Sequence, residues 1–129
     1  MNIKKVLCIE DSMVKYMDIF RYLNRQGISS VDWVTNAEDA LKRLDDSKQQ
    51  NVSYDLVVSD MHFDFFGEDD HEAGEKTMTL MRTKGYDVPV IFCSSQNWKV
   101  PGALGNVFYN PNRDWESEAD DLFAMIRSM

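Results

Sequence analysis

Asp55-Leu56-Val57-Val58-Ser59-Asp60-Met61 is a short apolar run closed by a polar pair, and Val6-Leu7-Cys8-Ile9-Glu10-Asp11-Ser12 repeats that arrangement near the amino end. Aliphatic and β-branched residues over three or four consecutive positions, bounded by polar ones, read as strands buried on both faces. Three further runs, Val31-Asp32-Trp33-Val34, Val88-Pro89-Val90-Ile91-Phe92 and Val107-Phe108-Tyr109, make five such strands.

Segments of helical period lie between them. Met13, Tyr16, Met17, Phe20 and Leu23 recur on one side of a helix that Gly27 is placed to end, and Ala37, Leu41 and Leu44 follow a capping Asn36. Met78 and Met81 mark a third helix. Trp115, Ala119, Leu122, Ile126 and Met129 form a core-facing stripe on the last. Met13, Met17, Met78, Met81 and Met125 are read as core filling, as are Trp33 and Trp115. Strands alternating with helices of this length imply right-handed crossovers and a mainly parallel sheet covered on both faces, the doubly wound α/β class. Two stretches break the rhythm. Phe65 to Gly74 reads as a long acidic loop, and Ser95 to Gly105, with Pro101, Gly102 and Gly105, is poor helix material, so the fourth helix is expected to be short or missing. No repeat or linker composition divides the chain, which reads as one domain over residues 1–129.

Composition narrows the function classes. The chain has 129 residues, of which 14 are basic and 22 acidic, for a net charge of −8, the wrong sign for binding a phosphate backbone. Its 43% hydrophobic content suffices for a core without staples. Cys8 and Cys93 sit in apolar runs without metal-ligand spacing and read as buried thiols suited to a reducing cytoplasm. Lys4 and Lys5 precede an apolar run too short for an export signal, and nothing approaches a membrane span.

Ligands of open α/β sheets bind outside the carboxyl ends of the strands. The residues there are Glu10 and Asp11 after the first run, Ser59 and Asp60 after the third, Ser94 and Ser95 after the fourth, and Asn110 after the fifth. Converging carboxylates repel one another unless a cation offsets them, and Mg²⁺ is the expected ion because few protein ligands suffice and water completes its octahedron. With the cation in place Asp60, on the central strand, is the nucleophile toward phosphorus, and the Ser94 hydroxyl donates to a phosphoryl oxygen.

These pieces, with Gly74, Pro89-Val90-Ile91-Phe92-Cys93-Ser94-Ser95 and Asn110-Pro111, resemble the receiver domain of two-component response regulators over nearly the whole chain. The resemblance implies a flavodoxin-like, five-stranded parallel sheet of order 2-1-3-4-5. It also implies phosphorylation of Asp60 by a histidine kinase, a phosphotransfer protein or a small phosphodonor, and a metal held by Glu10, Asp11, Asp60 and the backbone carbonyl of His62. Such a chain is not an enzyme in the ordinary sense, its only chemistry being its own phosphorylation and dephosphorylation.

The departures bear on mechanism. Where the family carries a lysine that contacts the phosphoryl group this chain has Asn110, an amide that can hydrogen-bond but brings no charge. Lys99 is one substitute, although a solvated lysine is the plainer reading. The aromatic switch position falls on Val107, with Phe108 and Tyr109 beside it. The loop after Asp60 is longer by roughly six residues than the family's. The stretch from Asp64 to Gly74 either docks a partner through Phe63, Phe65 and Phe66 or folds back onto the domain. Trp98, in an irregular polar stretch, is a further candidate contact.

The expected function is therefore a phosphoryl-accepting receiver that signals by binding a downstream protein, with its output in trans and no direct contact with nucleic acid or membrane. Self-association as a homodimer stays open. The rival is a pseudo-receiver, an interaction module independent of phosphorylation, which Asn110 and the shortened fourth segment favour. A transition-metal site from His62, Asp64, Glu68 and His71 has no recognised spacing behind it. A flavin carrier conflicts with the charge of Glu10-Asp11, and a phosphatase of the haloacid dehalogenase type would need an aspartate where His62 stands.

Overall fold

The computed structural model describes residues 1–97 and 99–129. The elements run β1 (Lys5–Ile9), α1 (Met13–Arg25), β2 (Ser30–Val34), α2 (Ala37–Gln49), β3 (Leu56–Ser59), β4 (Phe63–Phe65), β5 (Glu68–Asp70), α3 (Ala73–Thr83), β6 (Val90–Ser94), β7 (Gly105–Phe108) and α4 (Trp115–Arg127). The main sheet has the order β2-β1-β3-β6-β7 with every pairing parallel, which is the expected 2-1-3-4-5 arrangement once the small β4–β5 hairpin is set aside. The chain thus has the flavodoxin-like α/β fold.

Alternation along the strands divides the interior in two. Val6, Cys8, Val58, Ile91, Cys93 and Val107 face a core shared with α1 and α4, whereas Leu7, Ile9, Val57, Val90 and Phe92 face one shared with α2 and α3. Each fully buried aliphatic side chain contributes about 1.5–3 kcal/mol of transfer free energy. Three of the four helices begin on side chains that satisfy a free amide, Ser12 accepting from Lys15 N, Asn36 from Asp39 N and Asp114 from Ser117 N, while α3 starts at Glu72 without a side-chain cap. Gly27 follows α1 at φ +86°, a left-handed residue that stops the helix as its position implied.

Several expectations are corrected. Met78 and Met81 are core residues, but Met13, Met17 and Met125 are exposed, because the buried face of α1 runs through Tyr16, Ile19, Tyr22 and Leu23 and that of α4 through Ala119, Phe123 and Ile126. Leu122 is only partly buried and Met129 is exposed, so the stripe on α4 turns one position from the one read in the sequence and ends at Ile126. The stretch read as an acidic loop is largely ordered. β4 and β5 form an antiparallel hairpin with Phe65 opposite Glu68, and its two turn residues Phe66 and Gly67 have φ of +53° and +95°. Positive φ at both central residues is the type I′ geometry that suits a two-residue hairpin. Gly74 lies in the first turn of α3 and does not close a loop. Between β6 and β7 no helix forms among the described residues; the chain turns at Val100, Ala103 N bonding to Val100 O, and rejoins the sheet through Leu104 N to Val90 O. Among the described residues, no helix is long and apolar enough to cross a membrane.

Candidate functional site

β1 and β3 lie side by side with Ile9 opposite Ser59, so the residues that follow them, Glu10 and Asp60, emerge together at the carboxyl edge of the sheet. Asp60 N bonds to Ile9 O at 2.9 Å and fixes that juxtaposition. Asp11 completes the group: one carboxylate oxygen from each of Glu10, Asp11 and Asp60 lies within 4.8 Å of the others. Glu10 is buried, Asp60 half-buried and Asp11 exposed, so the cluster opens from the interior into a cleft of about 480 Å³ between Ser12, Ser95, Tyr109 and Asn110.

The backbone around the cluster is tightly held. Glu10 Oε2 accepts from Ser12 N at 3.1 Å, and the Glu10 carbonyl accepts from Trp33 Nε1 at 2.6 Å. Asp60 Oδ1 accepts from Met61 N at 2.7 Å, and among the described residues no donor bonds Oδ2. Gly74 packs directly against this turn: Gly74 N donates to Met61 O, and a Cβ at that position would lie 2.3 Å from the Asp60 carbonyl oxygen.

The unexpected member of the site is Lys15, in the first turn of α1. Its Nζ lies 2.6 Å from the carbonyl oxygen of Cys93, 2.9 Å from Glu10 Oε1 and 3.2 Å from Asp60 Oδ1, with 12% of the side chain exposed. The Tyr109 ring stands over it at 5.2 Å, and the Tyr109 hydroxyl donates to Asp18 Oδ2, one turn further along α1. Lys99, the substitute cation the sequence offers, is exposed. The available signal was electrostatic. The first turn of α1 holds no acidic residue and does hold a lysine, opposite to what the helix dipole favours, so that lysine needs a partner elsewhere.

Burial pushes the Glu10 carboxyl up from its ordinary range and the charge of Asp60 adds to this, only partly offset by Lys15. Burial would lower the Lys15 ammonium, yet the surrounding negative charge outweighs it and the net shift is upward. A cluster of hard oxygen donors, one of them the buried Glu10 Oε1 that is ion-paired with Lys15 at 2.9 Å and hydrogen-bonded to none of the described residues, fits a divalent cation such as Mg²⁺.

The other candidate residues divide. Ser94 is buried at the end of β6, its Oγ accepting from Gln96 N at 3.0 Å and donating to none of the described residues. Asn110 borders the cleft, but its Oδ1 is held by Asn112 N at 2.9 Å in a local turn. The His62 side chain points to the hairpin, Nε2 lying 2.9 Å from Asp69 Oδ2. His71 approaches Glu72 at 3.8 Å, and among the described residues His62, Asp64, Glu68 and His71 form no metal-capable group. Of the loop aromatics, Phe63 is fully buried, Phe65 is half-buried against α3, and Phe66 is half-exposed at the hairpin tip. Val107 and Tyr109 are buried, with Phe108 between them beneath the Arg113 guanidinium. Trp98 lies outside the described residues.

A family model, that of the response regulator receiver domain, matches residues 6–101. The chain belongs to that family. As a receiver domain of two-component signalling it finds its counterparts among solved structures. It is similar to the chemotaxis response regulator CheY4 of Vibrio cholerae, with 18% identity, 94% of this chain and 99% of that one covered, and a TM-score of 0.66. It is similar to the response regulator TrrA of Thermotoga maritima, solved in complex with Mg²⁺-BeF, with 22% identity, coverage of 93% and 99%, and a TM-score of 0.66. A third is the amino-terminal domain of a response regulator/sensory box/GGDEF protein from Carboxydothermus hydrogenoformans, with 23% identity, coverage of 95% and 92%, and a TM-score of 0.68. No curated protein sequence matches the chain. At these identities the structural likeness establishes the receiver fold.

Proposed function

We propose that this receiver accepts a phosphoryl group on Asp60 in a Mg²⁺-dependent reaction, the donor being a histidine kinase, a phosphotransfer protein or a small phosphodonor. The observation that carries this reading is the meeting of Glu10, Asp11 and Asp60 at the carboxyl edge of the sheet, with Asp60 Oδ2 unbonded among the described residues and a cleft beside it. Glu10, Asp11, Asp60 and the His62 carbonyl would hold the cation, which when bound neutralises charge on the phosphoryl oxygens. An Asp60 carboxylate oxygen attacks phosphorus, the bond from phosphorus to the donor's nitrogen or oxygen breaks, and its electron pair leaves with the donor. The Met61 amide and the turn held by Gly74 keep the nucleophile oriented, and Ser94 Oγ supplies a hydrogen-bond donor for a phosphoryl oxygen. Signal output is by binding a downstream protein.

A second reading has one observation in its favour. Lys15 already supplies positive charge to Glu10 and Asp60, which would let the fold persist as an interaction module without metal or phosphoryl group. Incubation with Mg²⁺ and phosphoramidate, followed by intact-mass spectrometry beside an Asp60→Ala control, separates the two. Gain of one phosphoryl mass that needs Mg²⁺ and Asp60 is expected; an unchanged mass under all conditions promotes the interaction module.

A further inference from the structure

We infer that Lys15, reaching in from the first turn of α1, is the cationic residue that contacts the phosphoryl group in this receiver, in the role that Asn110 lacks the charge to fill. The inference rests on Asp60 being the phosphoacceptor and adds to it the identity of the charge that stabilises the product.

Three observations carry it. Lys15 Nζ donates to the Cys93 carbonyl at 2.6 Å and forms ion pairs with Glu10 Oε1 at 2.9 Å and Asp60 Oδ1 at 3.2 Å, so the ammonium is held beside Asp60 before any phosphoryl group arrives. Its position is fixed from both ends: the backbone end by the Ser12 cap, and the ammonium end by the Cys93 carbonyl and the Tyr109 ring, itself tied to Asp18. The alternatives are unsuited as a cation, since Asn110 offers only an uncharged amide and Lys99 is exposed.

Chemistry then decides where the ammonium goes. When Asp60 becomes an acyl phosphate its carboxylate charge is lost, and negative charge gathers on the phosphoryl oxygens beside it. The longest of the three contacts, to Asp60 Oδ1, is the one whose acceptor weakens, so Nζ turns its proton to a phosphoryl oxygen in a charge-assisted bond. Because Lys15 belongs to α1 and touches β6 through Cys93, the pull of the phosphoryl group acts on the contact between those two elements. A lysine carried by the loop after β7 would act on that loop instead.

The test uses Mg²⁺ and beryllofluoride, the latter as a phosphoryl mimic, with affinities read from Trp33, whose indole donates to the Glu10 carbonyl and so reports the site. In Lys15→Met and Lys15→Gln the beryllofluoride affinity is expected to fall by about ten- to a hundredfold, the loss of one hydrogen bond between charged groups, while Mg²⁺ affinity is unchanged or stronger. In the unmutated protein, beryllofluoride is expected to shift the ¹⁵N resonance of the Lys15 ammonium and leave that of Lys99 in place, a readout that does not depend on any variant folding. Beryllofluoride binding that survives both substitutions undiminished, or a Lys15 ammonium that does not respond, overturns the role of Lys15 and leaves Asp60 as acceptor. Failure of the unmutated protein to bind Mg²⁺ and beryllofluoride overturns both.

Discussion

At the scale of single residues, the site depends on what can approach Asp60. Gly74 is the clearest case, because a Cβ there would meet the Asp60 carbonyl oxygen at 2.3 Å and the Met61 Cα at 3.0 Å, backbone atoms that cannot swing aside. Replacing a helical glycine by alanine ordinarily gains up to about 1 kcal/mol, but the clash outweighs it here. Gly74→Ala is expected to lower the free energy of unfolding by about 1–3 kcal/mol in urea titrations and to weaken Mg²⁺ binding, since the turn that carries Asp60 must shift. An unchanged or raised midpoint would contradict the packing described. The acidic pair and Asp60 could be read in the sequence because their positions relative to strand ends are local facts, whereas Gly74 stood out only through the family resemblance. The helix dipole shows only that Lys15 wants a partner; which partners it finds could not be read, since Glu10 and Asp60 follow β1 and β3 and Cys93 lies in β6, and only the folded sheet brings them within 3.2 Å of one ammonium.

Among the elements, the β4–β5 hairpin is where this receiver departs most from expectation. The stretch is acidic and its strands are three residues long, too short for alternation to stand out, yet Phe63 in, Asp64 out and Phe65 half in is the pattern of a strand lying on a core. Phe63 is fully buried against α2 and α3, so Phe63→Ala is expected to cost about 3–5 kcal/mol, measured by chemical denaturation. Phe66 is half-exposed at φ +53°, a conformation asparagine adopts more readily, so Phe66→Asn is expected to leave stability unchanged or raise it. Equal losses at both positions would mean that the hairpin is not docked as described. The same limits of local reading apply to the helices. Their existence and caps followed from Asn36, Gly27 and the apolar spacing, whereas the exact buried face, which leaves Met13 and Met17 exposed, is set by what the sheet presents to α1.

Across the whole molecule, a recurrent device ties distant segments together: a tyrosine hydroxyl donating to an aspartate of another element or loop. Tyr22 bonds Asp120, Tyr54 bonds Asp32, Tyr86 bonds Asp45 and Tyr109 bonds Asp18. Burial first, and then the neighbouring carboxylate, raises each phenol above its ordinary value of 10.0, to about 12 for Tyr54 and Tyr86. A group whose pKa is raised by folding binds its proton more tightly in the native state, so its contribution is fully present below the unfolded value and is lost as pH climbs through the folded one. Stability is therefore expected to hold up to about pH 10 and then fall steeply toward pH 12, with phenolate absorbance and loss of circular dichroism rising together. Phenolate appearing well before the structure is lost would show that these hydroxyls are not engaged. The doubly wound fold that positions these pairs was legible from the order of strands and helices alone, because parallel crossovers leave few arrangements. The pairs themselves were not, being contacts between residues 22 to 98 positions apart.

The proposed function assigns one carboxylate one reaction, and the most direct test of it is to locate the phosphoryl group chemically. Borohydride reduces an aspartyl phosphate to homoserine. After incubation with Mg²⁺ and phosphoramidate, reduction and peptide mapping are expected to show homoserine at residue 60 and at no other aspartate. Homoserine elsewhere, or an unaltered Asp60 in protein that has gained phosphoryl mass, would contradict the assignment of Asp60 as the acceptor.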